Sequence, residues 1–189
     1  MTGQSDDQAA GTAAFAYEMG VLKRLRRSGW WHAGIRDPES VAEHSLRVAQ
    51  LAALIAAEEG GDPARAALLG VWHDSQETRI GDMPHTARPY VTTQPNGSIT
   101  ADQVSALPPA ASHTVAGAVA EYEAQETIEA ICARDADKLE CLIQAIEYGE
   151  IGAARIQEWI DTSRAALKTD FAIRVADAAM RTSIMAWRE

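Results

Sequence analysis

The stretch DPESVAEHSLRVAQLAALI, residues 37–55, reads as an amphipathic helix. Asp37 can accept from the free N–H groups of a helix start. Pro38 has a φ suited to the first helical position, and Glu39 complements the positive end of the dipole. Val41, His44, Val48, Leu51 and Ile55 then recur at steps of three and four, which places them on one face. Gly60-Gly61 ends the pattern. His44 therefore belongs to the face that turns inward.

Outward from this helix the same signals repeat. Asp62-Pro63 opens a third helix, predicted to run to about Ile80 and to stop at Gly81. Upstream, Phe15, Met19, Leu22 and Leu25 predict a helix from about Phe15 to Arg27, broken by Ser28-Gly29. The polar opening, residues 1–12, is expected to be a disordered tail, with one domain over 13–189. Over 83–112, Pro84, Pro89, Pro95, Gly97, Pro108 and Pro109 forbid a long helix, and an irregular, lid-like segment is expected. Helical patterns follow at about 113–132, 135–148, 151–167 and 170–187. The expected fold is all-α, a single helical bundle of about six to eight helices.

Composition agrees and excludes several classes. A chain of 189 residues can bury a real core, and its apolar share of 47% is rich in Ala and Leu, which lose little freedom in a helix. The net charge of −10 repels nucleic-acid backbones and anionic lipid, so neither partner is expected. It would also repel a phosphate ester unless arginines or a metal ion reverse the sign locally. Cys132 and Cys141 form no CxxC pair and read as free thiols in a reducing compartment. With no apolar membrane span and no secretory pattern at the start, a cytoplasmic setting is expected.

Three places carry chemistry: His44, the adjacent pair His73-Asp74, and an aspartate in RDADKLE, residues 134–140. Imidazole nitrogens and carboxylate oxygens together suit one divalent ion such as Co²⁺, Mn²⁺, Mg²⁺ or Zn²⁺. Two of each would leave positions open, as a catalytic ion requires. The His-Asp dipeptide alone is unspecific; the context raises it. A histidine on an apolar stripe needs a polar partner. Glu77 lies one turn beyond His73, and Asp82 follows the glycine that ends that helix.

The stretches GWWHAGIRDPESVAEHSLRVA, LLGVWHDSQETRIGDMP and DADKLECL together resemble the HD-domain phosphohydrolases, and within them the 5′-deoxynucleotidase group. The resemblance spans about residues 20–148. It implies an HD-domain bundle in which His44, His73, Asp74 and Asp137 hold one divalent ion. Asp137 is preferred to Asp135 because the family places its last ligand directly before the KLE-like turn. It assigns Glu77 and Asp82 to the active site, Glu77 to orient water or handle protons and Asp82 to assist. It also implies a small-molecule nucleotide substrate, hydrolysed to nucleoside and phosphate, and a homodimer.

The chain departs from this family at the phosphate clamp. Relatives place arginine directly before the tryptophan of the first loop, and here Gly29 precedes Trp30. Arg26 or Arg27, just upstream, could reach over, and Arg88 matches a position where relatives carry lysine. Trp30 is expected to shape the nucleoside pocket, since a flat ring suits a sugar or base. Trp31 reads equally as pocket or core; Trp72, Trp159 and Trp187 read as packing. His32, His85 and His113 are expected to be satisfied or at the surface rather than ligands of a second ion. Two other readings stand beside the leading one: an HD phosphohydrolase for a different phosphate ester, such as a modified nucleotide, and a metal-bound helical module without turnover.

Overall fold

The computed structural model describes residues 2–188, and among them there is no β-strand, only an isolated bridge between Arg26 and Ser40. The α-helices are α1 (Thr2–Met19), α2 (Val41–Glu59), α3 (Pro63–Trp72), α4 (Glu77–Ile80), α5 (Asn96–Gln103), α6 (Pro109–Ala124), α7 (Ile128–Glu150), α8 (Gln157–Ala166) and α9 (Asp170–Ala179). The core lies where α2, α3 and α7 meet, around Val48, Ala52, Ile55, Leu69, Ala133, Ala136, Leu139 and Leu142. No helix of the described residues is long and apolar enough to cross a membrane.

Helix α2 starts later than Asp37-Pro38 predicts. Ser40 is its cap: the hydroxyl accepts from Glu43 N at 3.2 Å while the Glu43 carboxylate takes Ser40 N at 2.6 Å. This reciprocal pair satisfies two otherwise orphaned donors. Residues 37–39 instead lie beside the preceding loop, where Arg27 N donates to Glu39 O at 3.0 Å and Val41 N to Leu25 O at 2.9 Å. Arg27 is thereby fixed beside the start of α2. The Asp62-Pro63 start of α3 matches the sequence, with the Asp62 carboxylate accepting from Ala64 N and Arg65 N.

Other boundaries differ. The helix predicted to Ile80 breaks after Trp72: the Ser75 hydroxyl competes for Trp72 O, and tighter i→i+3 bonds carry the chain through 73–76 into α4. The tail expected over 1–12 is helical across its described residues 2–12. Alanines at 9, 10, 13, 14 and 16 favour helix, and a Cβ at Gly11 would lie 2.0 Å from Ala106 O, so only glycine lets α1 sit that close. Met1 and Glu189, included in the expected tail and domain, lie outside the described residues. Within 83–112 the prolines leave room for α5, and Pro109 occupies the first turn of α6. The α6–α7 break comes at Gln125, whose φ of 52° is left-handed, and Thr127 caps α7 through Ala130 N. Helix α7 then runs unbroken through RDADKLE.

One glycine brings the two histidines together. A Cβ on Gly70 would stand 2.8 Å from Ala49 Cα, so its absence lets α3 lie directly on α2. His44 and His73 then face each other, their ring centroids 5.3 Å apart.

Candidate metal and phosphate site

The site gathers around two imidazoles whose outer nitrogens are already committed. His73 Nδ1 lies 2.8 Å from Gly70 O and can only donate there, which directs the lone pair of Nε2 away from the helix. His44 Nδ1 meets Glu140 Oε2 at 2.5 Å. Glu140 is fully buried and held in turn by Arg47, whose Nη2 and Nε donate to Oε1 at 2.8 and 3.1 Å. Arg47 also takes both oxygens of Glu147 and the Gln144 carbonyl. This outer network holds the His44 ring in one orientation, with Nε2 turned toward the cluster.

Both Nε2 atoms are buried with no hydrogen-bond partner. Carboxylates converge on them: Asp74 Oδ2 is 3.0 Å from His73 Nε2 and 3.7 Å from His44 Nε2, and Asp137 Oδ1 is 3.4 Å from His44 Nε2. Ligand atoms of His44, His73 and Asp74 lie within 4.8 Å of one another. Two orphaned, buried imidazole nitrogens faced by two carboxylates fit a divalent cation. A second grouping, Glu39 with His44 and Glu140, lies on the opposite edge of the His44 ring. It suits an ion less well, because Trp30 Nε1 and Arg47 already neutralise or bond its carboxylates.

The electrostatics express the same clustering. Burial and Arg27 oppose a charge on His44, but Glu140 and Asp137 outweigh them and raise its pKa to about 9. Asp74 is half-buried and Asp137 buried, which favours protonation, yet the neighbouring histidines and cations hold both well below the usual carboxylate range. Glu77 behaves oppositely. Burial, then the charges of Asp74 and Asp82, push its carboxyl up to about 10, and its Oε2 is buried without a partner. A proton belongs on Glu77 and not on the two aspartates.

Asp135 and Asp137 are separated by one residue and face different neighbours. Asp135 accepts from Lys168 N, Thr169 N and Thr169 Oγ1 at 3.0, 2.6 and 2.7 Å and so caps the start of α9. Asp137 stands at the cluster, beside Lys138 Nζ at 3.0 Å. Asp82 lies at the mouth, its Oδ2 taking Ser28 N and Ser28 Oγ at 2.5 Å each. Its other oxygen faces Arg27 at 3.7 Å. The structure thus places Asp82 as an anchor of the 27–29 loop.

Above the cluster opens an inner recess of about 200 Å³, continuous through shared walls with an outer cavity of about 520 Å³. Arg27, Arg88, Arg134 and Lys138 line both. These four cations face Asp74, Glu77, Asp82 and Asp137 across the inner recess, and they outnumber the acids only around the outer cavity, where Asp137 and Glu158 are the acidic neighbours. Arg27 reaches within 3.6 Å of Asp74, whereas Arg26 turns outward to Asp37 at 2.9 Å. Arg134 and Lys138 were not singled out in the sequence, although they share with Asp137 one face of α7, a spacing of three and four that could have found them. Glu140 follows from the same helix, but nothing in its spacing says that it meets His44.

Of the tryptophans, Trp30 borders the inner recess but is otherwise core, 2% exposed, its Nε1 donating to Glu39 at 3.0 Å. Trp159, expected only to pack, stacks on Trp30 at 5.6 Å and lines both cavities. Trp31 and Trp187 are exposed and do neither, while Trp72 packs on Phe15. Residues 83–88 wall the opening, and Thr86 Oγ1 meets His32 Nε2 at 3.2 Å.

Known proteins share the family and the fold. A family model described as HD domain matches residues 19–177. The cattle protein named 5′-deoxynucleotidase HDDC2 is 30% identical over 149 residues, covering 77% of this chain and 72% of its own. A conserved hypothetical protein from Pyrococcus furiosus superposes with a TM-score of 0.72 at 29% identity, covering 90% of this chain and 99% of the other. A cyanophage S-2L HD phosphohydrolase (DatZ), described as bound to dA and one catalytic Zn²⁺ ion, shares the fold with a TM-score of 0.53 at 21% identity, covering 87% of this chain and 91% of its own.

Proposed function

This chain belongs to the HD-domain family, and on that premise we propose that it is a metal-dependent phosphomonoesterase that hydrolyses nucleoside 5′-monophosphates, with deoxyribonucleotides as its substrates. The observation that carries the reading is the pair of buried, unpartnered Nε2 atoms facing Asp74 and Asp137 on the floor of a cation-lined cavity. The curated relative named a 5′-deoxynucleotidase supports the choice of ester.

In this reading His44, His73, Asp74 and Asp137 hold one divalent ion. When bound, that ion supplies charge stabilisation for the phosphoryl oxygens and Lewis-acid activation at neutral pH. The chain's own residues do the rest. Arg27, Arg134, Lys138 and Arg88 draw the dianionic phosphate into the recess and offset the negative field. Asp82 and Ser28 keep Arg27 in register with the phosphate. Glu77, buried beside Asp74 and Asp82 in the wall of the recess, is placed to orient the attacking water or to protonate the leaving 5′-oxygen, with Asp82 assisting. The ligand mix accepts Co²⁺, Mn²⁺, Mg²⁺ or Zn²⁺. The free cysteines support a cytoplasmic setting. Exposed Met180, Met185 and Trp187 support a homodimer, testable by light scattering after size exclusion.

The deciding experiment strips the metal and measures phosphate release from 5′-dNMPs with each ion or none, beside Glu77→Ala. Metal-dependent release that collapses in the variant supports the proposal. Release only from another ester selects the alternative substrate, and silence with metal bound leaves a binding module.

A further inference from the structure

The outer cavity shares most of its lining with the inner recess and adds one wall of its own. Its far side is one face of α8, where Trp159, Thr162, Ser163 and Ala166 follow each other at helical spacing. Trp159 is held from behind: it stacks on Trp30 at 25°, and Trp30 is itself pinned by its bond to Glu39 and its edge contact with Tyr148 at 5.1 Å. A preformed flat ring therefore borders both the recess and the outer cavity.

Gly29 is the complementary feature. It lines both spaces, and a Cβ there would meet only Trp159 Nε1, at 4.0 Å. Its backbone is not in the left-handed region, so no local strain demands glycine. What the missing side chain leaves is open space beside the indole.

From these observations we infer that the outer cavity is the nucleobase subsite, with the base stacked on Trp159 and with Gly29 keeping that ring accessible. The inference rests on the phosphomonoesterase reading of the inner recess. The dimensions agree with it: a phosphate needs the small charged recess, and the remaining nucleoside needs a larger space with an apolar wall. Thr162 and Ser163 add hydroxyl oxygens to this wall, and the Thr162 hydroxyl, which already donates to Glu158 O at 2.6 Å, is left as an acceptor. Stacking of this kind tolerates every base, because every base has a π-face.

The experiment compares a 5′-dNMP with 2-deoxyribose 5-phosphate, which has the same ester and no base. Trp159→Ala raises KM for the nucleotide about tenfold, while turnover of the baseless ester stays within about twofold. Trp159→Phe retains most of the nucleotide preference. Trp159→Leu, which keeps apolar bulk against Trp30 but removes the flat ring, gives the same selective loss if Trp159→Ala fails to fold. With deoxyadenosine as the calorimetric probe, binding weakens in either variant. Equal losses on both esters, or no change in either, overturn the inference. A wild-type protein that hydrolyses neither ester with any ion overturns the reading beneath it.

Discussion

The buried charges around α7 form a closed flank of paired groups and an open flank of unpaired ones. The two are not opposite faces of the helix: Asp137 and Glu140 lie one turn apart and meet the same His44 ring at different nitrogens. On one flank every group is closed upon another: Asp135 takes its donors from 168–169, and Glu140 is bound by His44 and Arg47. On the other, Asp137 faces an imidazole nitrogen without a partner, and Glu77 buries an oxygen with none. Leaving buried polar atoms unmatched costs stability, commonly about 1–3 kcal/mol each. A chain that pairs Asp135 and Glu140 so fully has the means to pair the remaining groups as well. The open flank is therefore where a ligand completes the structure, and the closed flank holds that opening in shape.

The sharpest way to break this contrast is to remove an open-flank ligand. Asp137→Ala or His73→Ala is expected to abolish metal-dependent phosphate release and to lower the metal retained after dialysis. Retained stoichiometric metal with full activity would end the assignment. Glu77→Gln should keep the metal and lose about 10²–10⁴-fold in kcat, measured with metal content and phosphate release on the same sample. Glu140→Ala tests whether the closed flank serves the open one, with metal affinity expected to fall about 10–100-fold in a chelator competition. Unchanged affinity would reduce Glu140 to packing.

Stability supplies the smaller effects. Asp135→Ala, on the closed flank, should cost about 2–4 kcal/mol in urea denaturation and leave activity per folded molecule within about twofold. In the metal-free protein the Glu77 carboxyl is raised by burial and by Asp74 and Asp82 to about 10, from an ordinary value of 4.5. The native state therefore holds a proton that the unfolded chain releases between these values. Its contribution is fully present below about pH 4.5 and is lost as pH rises toward about 10. The denaturation midpoint of Glu77→Gln should rise relative to the parent across that window. A constant difference would mean that Glu77 is already ionised.

Much of this was legible in residue order. The stripe through Val41, His44 and Val48 placed His44 inward, and Asp62-Pro63 marked a helix start where one is found. The ends that differ have local causes: Ser40 and Glu43 form a capping box three residues beyond Asp37, and Thr127 is a cap that lies inside the helical pattern expected over 113–132. The opening residues read as a tail because polarity was weighed above the alanines between them. Arg27, Glu77 and Asp82 all lie at the recess. Trp159, Arg134 and Glu140 entered only when helices far apart in the chain met.

Sequence alone determined which residue types were available for the chemistry and which helix faces they would occupy, because helical period depends only on spacing along the chain. Tertiary structure decided which of two neighbouring aspartates meets the histidines, which arginine of an adjacent pair turns inward, and which tryptophan borders the cavity. Those choices follow from how closely helices can pack, as at Gly70 against Ala49, and from which distant donors satisfy each buried oxygen.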